Sequence, residues 1–227
     1  MELTYDLVRS KKRKKTISLH VKKDGSIVIQ APFSMPGRDI NRFFKGKTDW
    51  LFRKIEEREK RPNPHMARSF ASGETFLLLG VPCPLMIQDK PDGNGHLTFS
   101  RGQFVMETEQ ACKGRELFTT WYKNKAKALM EERIRHYSGM IGLYPDRLRI
   151  SNARFRWGSC SRDNSLSFSW RLAMAPSLII DYVVVHELAH IKEKNHSRSF
   201  WALVETMMPD YRKHRHWLKE NGHLLDI

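Results

Sequence analysis

The stretch DYVVVHELAH occupies residues 181–190 and contains two histidines separated by three residues. In a helix, His186 and His190 lie one turn apart, so their imidazoles leave the same face and can converge on one cation. Glu187 projects beside them, toward the position of a bound water. The spacing therefore predicts a metal-binding helix that carries a carboxylate placed for proton transfer.

Zinc is the metal that these side chains predict, because neutral imidazoles suit it and a catalytic zinc takes three protein ligands and one water. We expect His196, six residues after His190, to be the third ligand, with Asn195 supplying the permissive backbone where the helix ends. Glu193 and Glu205 are alternative third ligands, because two histidines and a glutamate hold some catalytic zinc ions.

The predicted chemistry is hydrolysis. Bound zinc lowers the pKa of its water and polarises a carbonyl or phosphoryl oxygen, while Glu187 accepts the water's proton and later donates it. These residues do not select the bond that is cut. The alternative is that they cap or fill an ordinary helix, but two histidines and a glutamate buried on one face without a metal would need other polar partners.

The sequence around this helix also carries a family resemblance, which extends over about residues 147–222. Its motifs are RWGSCS at 156–161, WRL at 170–172, AP at 175–176, DYVVVHELAH at 181–190, NHS at 195–197, FW at 200–201 and MPDY at 208–211. With these motifs the chain resembles the YgjP-like metallopeptidase domain family, which is related by motif to SprT-type and WLM-type zincins.

The resemblance implies a minimal zincin core, in which a small sheet covers the HExxH helix and the next helix follows the third ligand. It assigns zinc ligation to His186, His190 and His196, and catalysis to Glu187. His196 follows His190 by six residues in the sequence, the same spacing as in metzincins. Glu193 replaces the turn glycine of metzincins, however, and no Met-turn is recognisable. The resemblance therefore does not extend to metzincins.

The segment from Arg156 to Ser161 has two interpretations. It is either a strand edge that lines the cleft, where Arg156, Ser159 or Cys160 meets substrate, or a packing segment whose tryptophan fills the core. Cys160 is not expected to be a ligand, because a fourth protein ligand would close the zinc site. The aromatic pair at residues 200–201 is interpreted as core.

The chain is strongly basic, with a formal net charge of +15 over 227 residues. Residues 1–61 contain 17 Lys and Arg against 8 Asp and Glu, including five consecutive basic residues at 11–15. Such a surface raises the local concentration of nucleic acid and other polyanions without selecting among them. The alternative is an ordinary solvated surface.

The cysteines and the apolar segments predict a cytoplasmic protein with no membrane contact. Cys83, Cys112 and Cys160 are odd in number and far apart, so they form neither a disulfide framework nor a CxxC metal knuckle. The longest apolar run, around residues 178–185, is too short to cross a bilayer, and the N-terminus lacks a signal segment.

Hydrophobic periodicity predicts an α+β fold, with a β-rich N-terminal half followed by a helical core. Predicted strands cover residues 3–8, 16–21, 27–31, 75–79, 85–88, 97–99, 104–107, 147–151 and 166–171, and a turn at 23–26 joins the second and third. Predicted helices begin after Pro36-Gly37 and near Lys113, Ser177, Ser197 and Pro209.

We expect the N-terminal strands to form antiparallel sheets, and the helix from Lys113 to end near Tyr137. Residues 1–110 are taken as the β-rich region with one helix, and residues 111–227 as the metallohydrolase core.

Three functions follow from these observations. The first is a metallopeptidase with a polypeptide substrate. The second, which the family resemblance also allows, is a nucleotide phosphoanhydride hydrolase similar to a UTP pyrophosphatase, although no P-loop supports it. The third is a nucleic-acid-binding module with a structural zinc, which the position of Glu187 disfavours.

Overall fold

The structure of the chain is a computed structural model, which describes residues 4–21, 26–52, 68–88, 95–107, 113–154 and 156–227. Cys112 and most of the predicted turn at 23–26 lie outside the described residues. The chain forms two compact units, residues 1–63 and residues 64–227. The second β-rich stretch therefore lies in the same unit as the C-terminal helices. The boundary near residue 110 stays a prediction.

The described part of the first unit contains three strands and a helix, β1 (Asp6–Ser10), β2 (Ser18–Val21), β3 (Ile27–Pro32) and α1 (Gly37–Lys45), and residues 48–52 are helical as well. β3 lies between the other two strands, antiparallel to β2 and parallel to β1. The prediction of an antiparallel sheet is therefore wrong for the β1–β3 pair. β3 takes the centre because it is the most apolar strand, with Ile29 and Ala31 buried together with Ile40 of α1.

The second unit begins with a four-stranded sheet: β4 (Thr75–Leu78), β5 (Val81–Gln88), β6 (His96–Ser100) and β7 (Gln103–Glu107). Its strand order is β4-β5-β7-β6, and β5 pairs with β7 in parallel, so the antiparallel prediction is wrong here too. The β6–β7 hairpin joins the sheet through β7 because Phe104 and Met106 of that strand are fully buried. The less apolar β6 is left at the edge.

Helix α2 (Gly114–Ile141) packs in the same hydrophobic core as this sheet, and its Tyr122 hydroxyl donates a hydrogen bond to the Leu77 carbonyl over 2.6 Å. The helix ends four residues later than predicted. Gly139 is accommodated inside it, and termination falls to Gly142, whose φ of 67° is left-handed and whose N–H bonds to the Ser138 carbonyl.

A three-stranded sheet and three α-helices follow in the second unit: β8 (Leu148–Ser151), β9 (Gly158–Cys160), β10 (Leu166–Ser169), α3 (Ser177–Lys192), α4 (Arg198–Met207) and α5 (Tyr211–Asn221). Two 3-10 helices, Trp170–Met174 and Gly222–Leu224, follow β10 and α5, so the strand predicted at 166–171 ends two residues early. The sheet order is β8-β10-β9, and β9 is antiparallel to β10 and packs on α3. Sheets toward the N-terminus, helices toward the C-terminus and a small sheet over α3 confirm the predicted α+β fold. In the described part of the chain, no helix has both the length and the apolar character needed to cross a membrane.

The turn between β4 and β5 contacts the segment that leads into α3. Its Leu79 and Gly80 amides donate hydrogen bonds of 2.9 Å to the Ala173 and Met174 carbonyls, respectively. A Cβ on Gly80 would lie 2.8 Å from Cγ of Pro176, the residue before α3, and Gly80 has a φ of 84°. Only glycine fits this contact without strain.

A buried ion pair anchors residue 226 in the second unit. Nε and Nη2 of Arg171 lie 2.9 and 2.8 Å from Oδ1 of Asp226, and the two residues are 5% and 8% exposed. Burial lowers the pKa of Arg171, and the charge of Asp226 opposes this effect. Arg171 also donates through Nη1 to the Asn152 carbonyl over 3.1 Å. The pair therefore ties the segment after β8 to residue 226.

Replacing Asp226 with alanine should lower the free energy of unfolding by about 3 kcal/mol, because it leaves the Arg171 guanidinium buried without its counter-charge. Urea unfolding followed by circular dichroism measures this change. The matched control is Glu131→Ala, which removes an exposed pair with Lys127 and should change the free energy by less than about 0.5 kcal/mol. Equal stability of the two variants would contradict the prediction.

Candidate metal centre

The helix that carries the histidines is buried on most of its surface. Val183, Val184, Val185, Leu188 and Ala189 are each 3% exposed or less. His186 and His190 are half-buried on the remaining side. The valine run thus fixes the rotation of α3 in the core, and with it the direction in which both imidazoles point.

Three imidazoles converge at this side of α3. Nε2 of His196 lies 3.0 Å from Nε2 of His186 and 3.2 Å from Nε2 of His190. The ligand atoms of the three residues all lie within 4.8 Å of one another, and among the described residues no other group of His, Cys, Asp or Glu side chains converges in this way. Glu193 and Glu205, the alternative third ligands, do not belong to this group.

One backbone contact fixes the protonation of His190. Its Nδ1 lies 2.9 Å from the Glu193 carbonyl oxygen. Because a carbonyl oxygen only accepts hydrogen bonds, Nδ1 carries a proton, and in the neutral ring Nε2 is then the nitrogen that presents a lone pair to the other two rings. A backbone acceptor of this kind is the usual support for a metal-binding histidine.

A short loop brings His196 back to the other two rings. α3 ends at Lys192, and the next residue, Glu193, has an extended backbone (φ −116°, ψ 97°). α4 then begins with Ser197 as its N-cap, because the serine hydroxyl accepts a hydrogen bond of 3.2 Å from the Phe200 amide. Asn195 does not adopt a positive φ, so the prediction that it supplies a permissive backbone is wrong. The chain leaves the helix through the extended Glu193 and bends at residues 194–195 without a left-handed residue.

Two aromatic side chains of α4 contact the imidazoles. Phe200 is fully buried and stacks on His190, with ring centroids 4.4 Å apart, while its edge contacts are 4.9 Å to His186 and 4.8 Å to His196. Trp201 stacks on His196 at 5.6 Å. The interpretation of these residues as core omitted this contact. Phe200 and Trp201 follow His196 by four and five residues in the sequence, and this spacing is the signal that could have indicated the contact.

The electrostatics of the site keep imidazoles neutral. Burial lowers the pKa of His186 to about 3, and the neighbouring His190 and His196 add to the shift. Burial and His190 lower the pKa of His196 as well. Neutral imidazole is the form that binds metal, and a site of three such nitrogens suits zinc. The residues present therefore fit a zinc ion with one coordination position left for water or substrate.

The carboxyl group of Glu187 lies against β9. Glu187 is 5% exposed, and burial raises its pKa to about 8, an effect that the positive charge of Arg156 opposes. A Cβ on Gly158 would lie 2.5 Å from Oε1 of Glu187. Glycine at this position therefore makes room for the carboxyl group. Gly158 was not among the residues predicted from the sequence, although it is the one glycine in the RWGSCS motif.

The three predicted substrate-binding residues have different surroundings. Arg156 is exposed, and its charge reaches Glu187. Cys160 is half-buried, with Sγ 3.8 Å from Nζ of Lys194, and it is not part of the histidine group. Ser159 lies between Gly158 and Cys160 in β9, so its side chain points to the opposite face of the strand. Their roles in binding substrate stay predictions.

Comparisons with known proteins agree with this picture at the level of family. A family model described as YgjP-like, metallopeptidase domain matches residues 15–221. UTP pyrophosphatase from Escherichia coli (strain K12) is 28% identical over 87 residues, which make up 38% of this chain and 49% of that protein. The chain thus spans about half the length of this curated relative. The crystal structure of the metallopeptidase zymogen of Pyrococcus abyssi abylysin is 23% identical and has a TM-score of 0.37, covering 40% of this chain and 93% of that one.

Replacing His196 with alanine should weaken zinc binding by more than about a hundredfold, since loss of a ligand exceeds the loss that accompanies changes in its surroundings. Metal content by mass spectrometry and competition with a chromophoric chelator measure the effect. Glu193→Gln and Glu205→Gln are the matched controls and should bind zinc as the unmodified protein does. Loss of zinc from either control, with zinc retained in His196→Ala, would assign the third position to a glutamate.

Proposed function

The chain belongs to the YgjP-like metallopeptidase domain family, and from that premise we propose that it is a zinc-dependent metallopeptidase. The observation that carries the proposal is the convergence of three imidazole nitrogens within 4.8 Å, two of them on the helix that also carries the buried Glu187 and the third in the loop that follows it. Structural zinc sites are closed by four protein ligands. The group found among the described residues has three, which supports a catalytic site over a binding module with structural zinc.

The residues divide the proposed reaction between them. His186, His190 and His196 hold the metal. Zinc, when bound there, supplies Lewis-acid activation of water and of the bond to be cleaved. Glu187 takes the proton of the attacking water at a carboxylate oxygen and returns it to the leaving group. The contact with Gly158 keeps that carboxyl group in place between β9 and α3.

The free edge of β9 supports a polypeptide substrate. The Ser161 amide bonds to the Ser165 carbonyl over 3.0 Å, and the Ser169 amide bonds to the Trp157 carbonyl over 2.9 Å. In an antiparallel ladder, alternate residues bond to the partner strand. Ser159 therefore bonds toward β10, and the backbone groups of residues 158 and 160 point to the other side.

An extended peptide can add to such an edge as a further strand. Within the described residues, β9 has β10 on one side and no strand on the other. A peptide bound there would pass Gly158, which lies in contact with Glu187. The proposed substrate is therefore a polypeptide bound in extended conformation along β9.

A second candidate is hydrolysis of a nucleotide phosphoanhydride. The observation that favours it is the 28% identity with UTP pyrophosphatase over 87 residues. The same histidines and the same glutamate would act on a phosphoryl group. Release of pyrophosphate or phosphate from UTP would support this candidate, and cleavage of a disordered protein such as casein would support the peptidase.

We also propose that the basic N-terminal segment attracts polyanions, with nucleic acid as one example. Lys11, Lys12, Lys14 and Lys15 are exposed, whereas Arg13 is half-buried and donates hydrogen bonds to Ser18 and Gln30. A cytoplasmic location stays a prediction.

Replacing Glu187 with glutamine should lower the rate by about 10²–10⁴-fold, because the amide cannot take a proton from water. Casein cleavage and UTP hydrolysis are measured in parallel, with and without chelator, and zinc content is determined for each sample. Zinc should remain bound in the variant. If Glu187→Gln has full activity in the assay in which the unmodified protein is active, Glu187 is excluded as the general base.

Replacing Gly158 with alanine should lower the rate by about a hundredfold with zinc retained, because the added methyl group displaces the Glu187 carboxyl group. Gly139→Ala is the matched control, since a Cβ at residue 139 meets no heavy atom within 4 Å, and it should keep the full rate. Rate constants at saturating substrate give the comparison. An active Gly158→Ala variant would show that the carboxyl group can work from another position.

A further inference from the structure

The basic residues of α5 differ in their ion pairing. Arg212 pairs with Glu205, with Nη1 and Oε1 3.2 Å apart, and Lys213 pairs with Asp210 at 2.8 Å. Arg215 is exposed, and no carboxylate in the described part of the chain pairs with it. Arg215, whose charge reaches His186 and His196 of the metal centre, therefore differs from Arg212 and Lys213 in having no paired carboxylate among the described residues.

An aromatic contact places Arg215 beside the third metal ligand. Its Cζ lies 4.9 Å from the centroid of the Trp201 ring. The same ring stacks on His196 at 5.6 Å and contacts His186 at 5.8 Å. The guanidinium group therefore lies against the indole that supports two of the three imidazoles.

The contact with Trp201 leaves the hydrogen-bond donors of Arg215 available. A guanidinium on an aromatic ring uses its flat face for the cation–π contact, while its N–H groups project outward in the plane. No hydrogen bond from Arg215 to another described residue occurs. The paired N–H donors of a guanidinium group match two oxygens of a carboxylate or phosphate.

The other cations near the site are engaged differently. Nζ of Lys194 donates to Oδ1 of Asn164 over 2.7 Å and to the Ser161 carbonyl over 3.3 Å, and it contacts Sγ of Cys160. These three partners occupy its three donors, so Lys194 holds the loop after α3 against the β9–β10 turn. Arg156 lies near Glu187 on the β9 side. Among the described residues, Arg215 on the α5 side of the site has a guanidinium with no ion pair and no hydrogen bond.

We propose that Arg215 binds an oxyanion of the substrate, a carboxylate or a phosphate, next to the bond that is cleaved. This inference rests on the proposed function and adds a substrate class to it. In a polypeptide the oxyanion is the side chain of an aspartate or glutamate beside the scissile bond. In a nucleotide it is a phosphate that neighbours the one attacked. Arg215 would then determine specificity, while Glu187 and the histidines carry out the reaction.

Peptide turnover tests the first source of the oxyanion. Two sets of fluorogenic peptides differ only by Glu or Gln at each position that flanks the scissile bond. We expect the protein to favour a Glu peptide by about tenfold in kcat/KM, the effect of one charge-assisted hydrogen bond. Arg215→Gln should reduce this preference to less than about twofold while the Gln peptides are still cleaved. Arg212→Gln, the matched control on the same helix, should keep it.

Hydrolysis of UTP tests whether Arg215 binds a phosphate of a nucleotide. Arg215→Gln should raise KM for UTP by about tenfold, and Arg212→Gln should leave it unchanged. If Arg215→Gln retains both the Glu preference and the KM for UTP, the inference is wrong even though the proposed function stands.

A binding measurement separates the inference from the activity. Inorganic phosphate is titrated calorimetrically into the zinc-loaded protein and its variants. Arg212→Gln should bind phosphate as the unmodified protein does, and Arg215→Gln should bind it about tenfold more weakly. If neither peptide nor UTP is cleaved but this difference is found, the proposed function fails and the anion site stands. Equal binding by Arg215→Gln and the unmodified protein would overturn the anion site.

Discussion

The approach of three imidazoles to one point is the constraint on which the centre depends. Neutral nitrogens that face one another at 3.0 and 3.2 Å are stable only with a cation or a proton between them. The protein holds them there through contacts that are independent of one another: the buried valines of α3, the Glu193 carbonyl at His190, and the ring of Phe200. The core of the fold thus supports each of the three rings through contacts of its own, as a metal site requires.

The small sheet and the helix contribute to the site through one close contact. β9 approaches α3 so closely that residue 158 has no room for a side chain, and the Glu187 carboxyl group occupies the space. The same approach puts the unpaired edge of β9 next to the carboxyl group. The close approach of β9 and α3 therefore buries the Glu187 carboxyl group, which is the proposed proton acceptor, and places it next to the proposed binding edge for an extended peptide.

The parts of the site that the sequence predicted are local in the chain. His186 and His190 are related by one helical turn, and His196 follows within a short loop, so spacing alone brings them together. Gly158 lies 29 residues before Glu187 in the sequence, and no local pattern reveals that they touch. The parallel pairs β1–β3 and β5–β7 were missed for the same reason, because strand order depends on which strand is buried most. The assignment of ligand and base roles stays a prediction.

The turn at Leu79 and Gly80 is hydrogen-bonded to the segment before α3, so the metal centre depends on residues outside the C-terminal helices. The turn fixes the segment just before α3, and the hydrophobic cluster of the second unit runs without a break from the β4–β7 sheet to α5. A fragment that starts at residue 111 would expose the face of α2 that covers this sheet and would release the entry to the histidine helix. Transplanting the centre to another protein would therefore require the chain from about residue 64 onward.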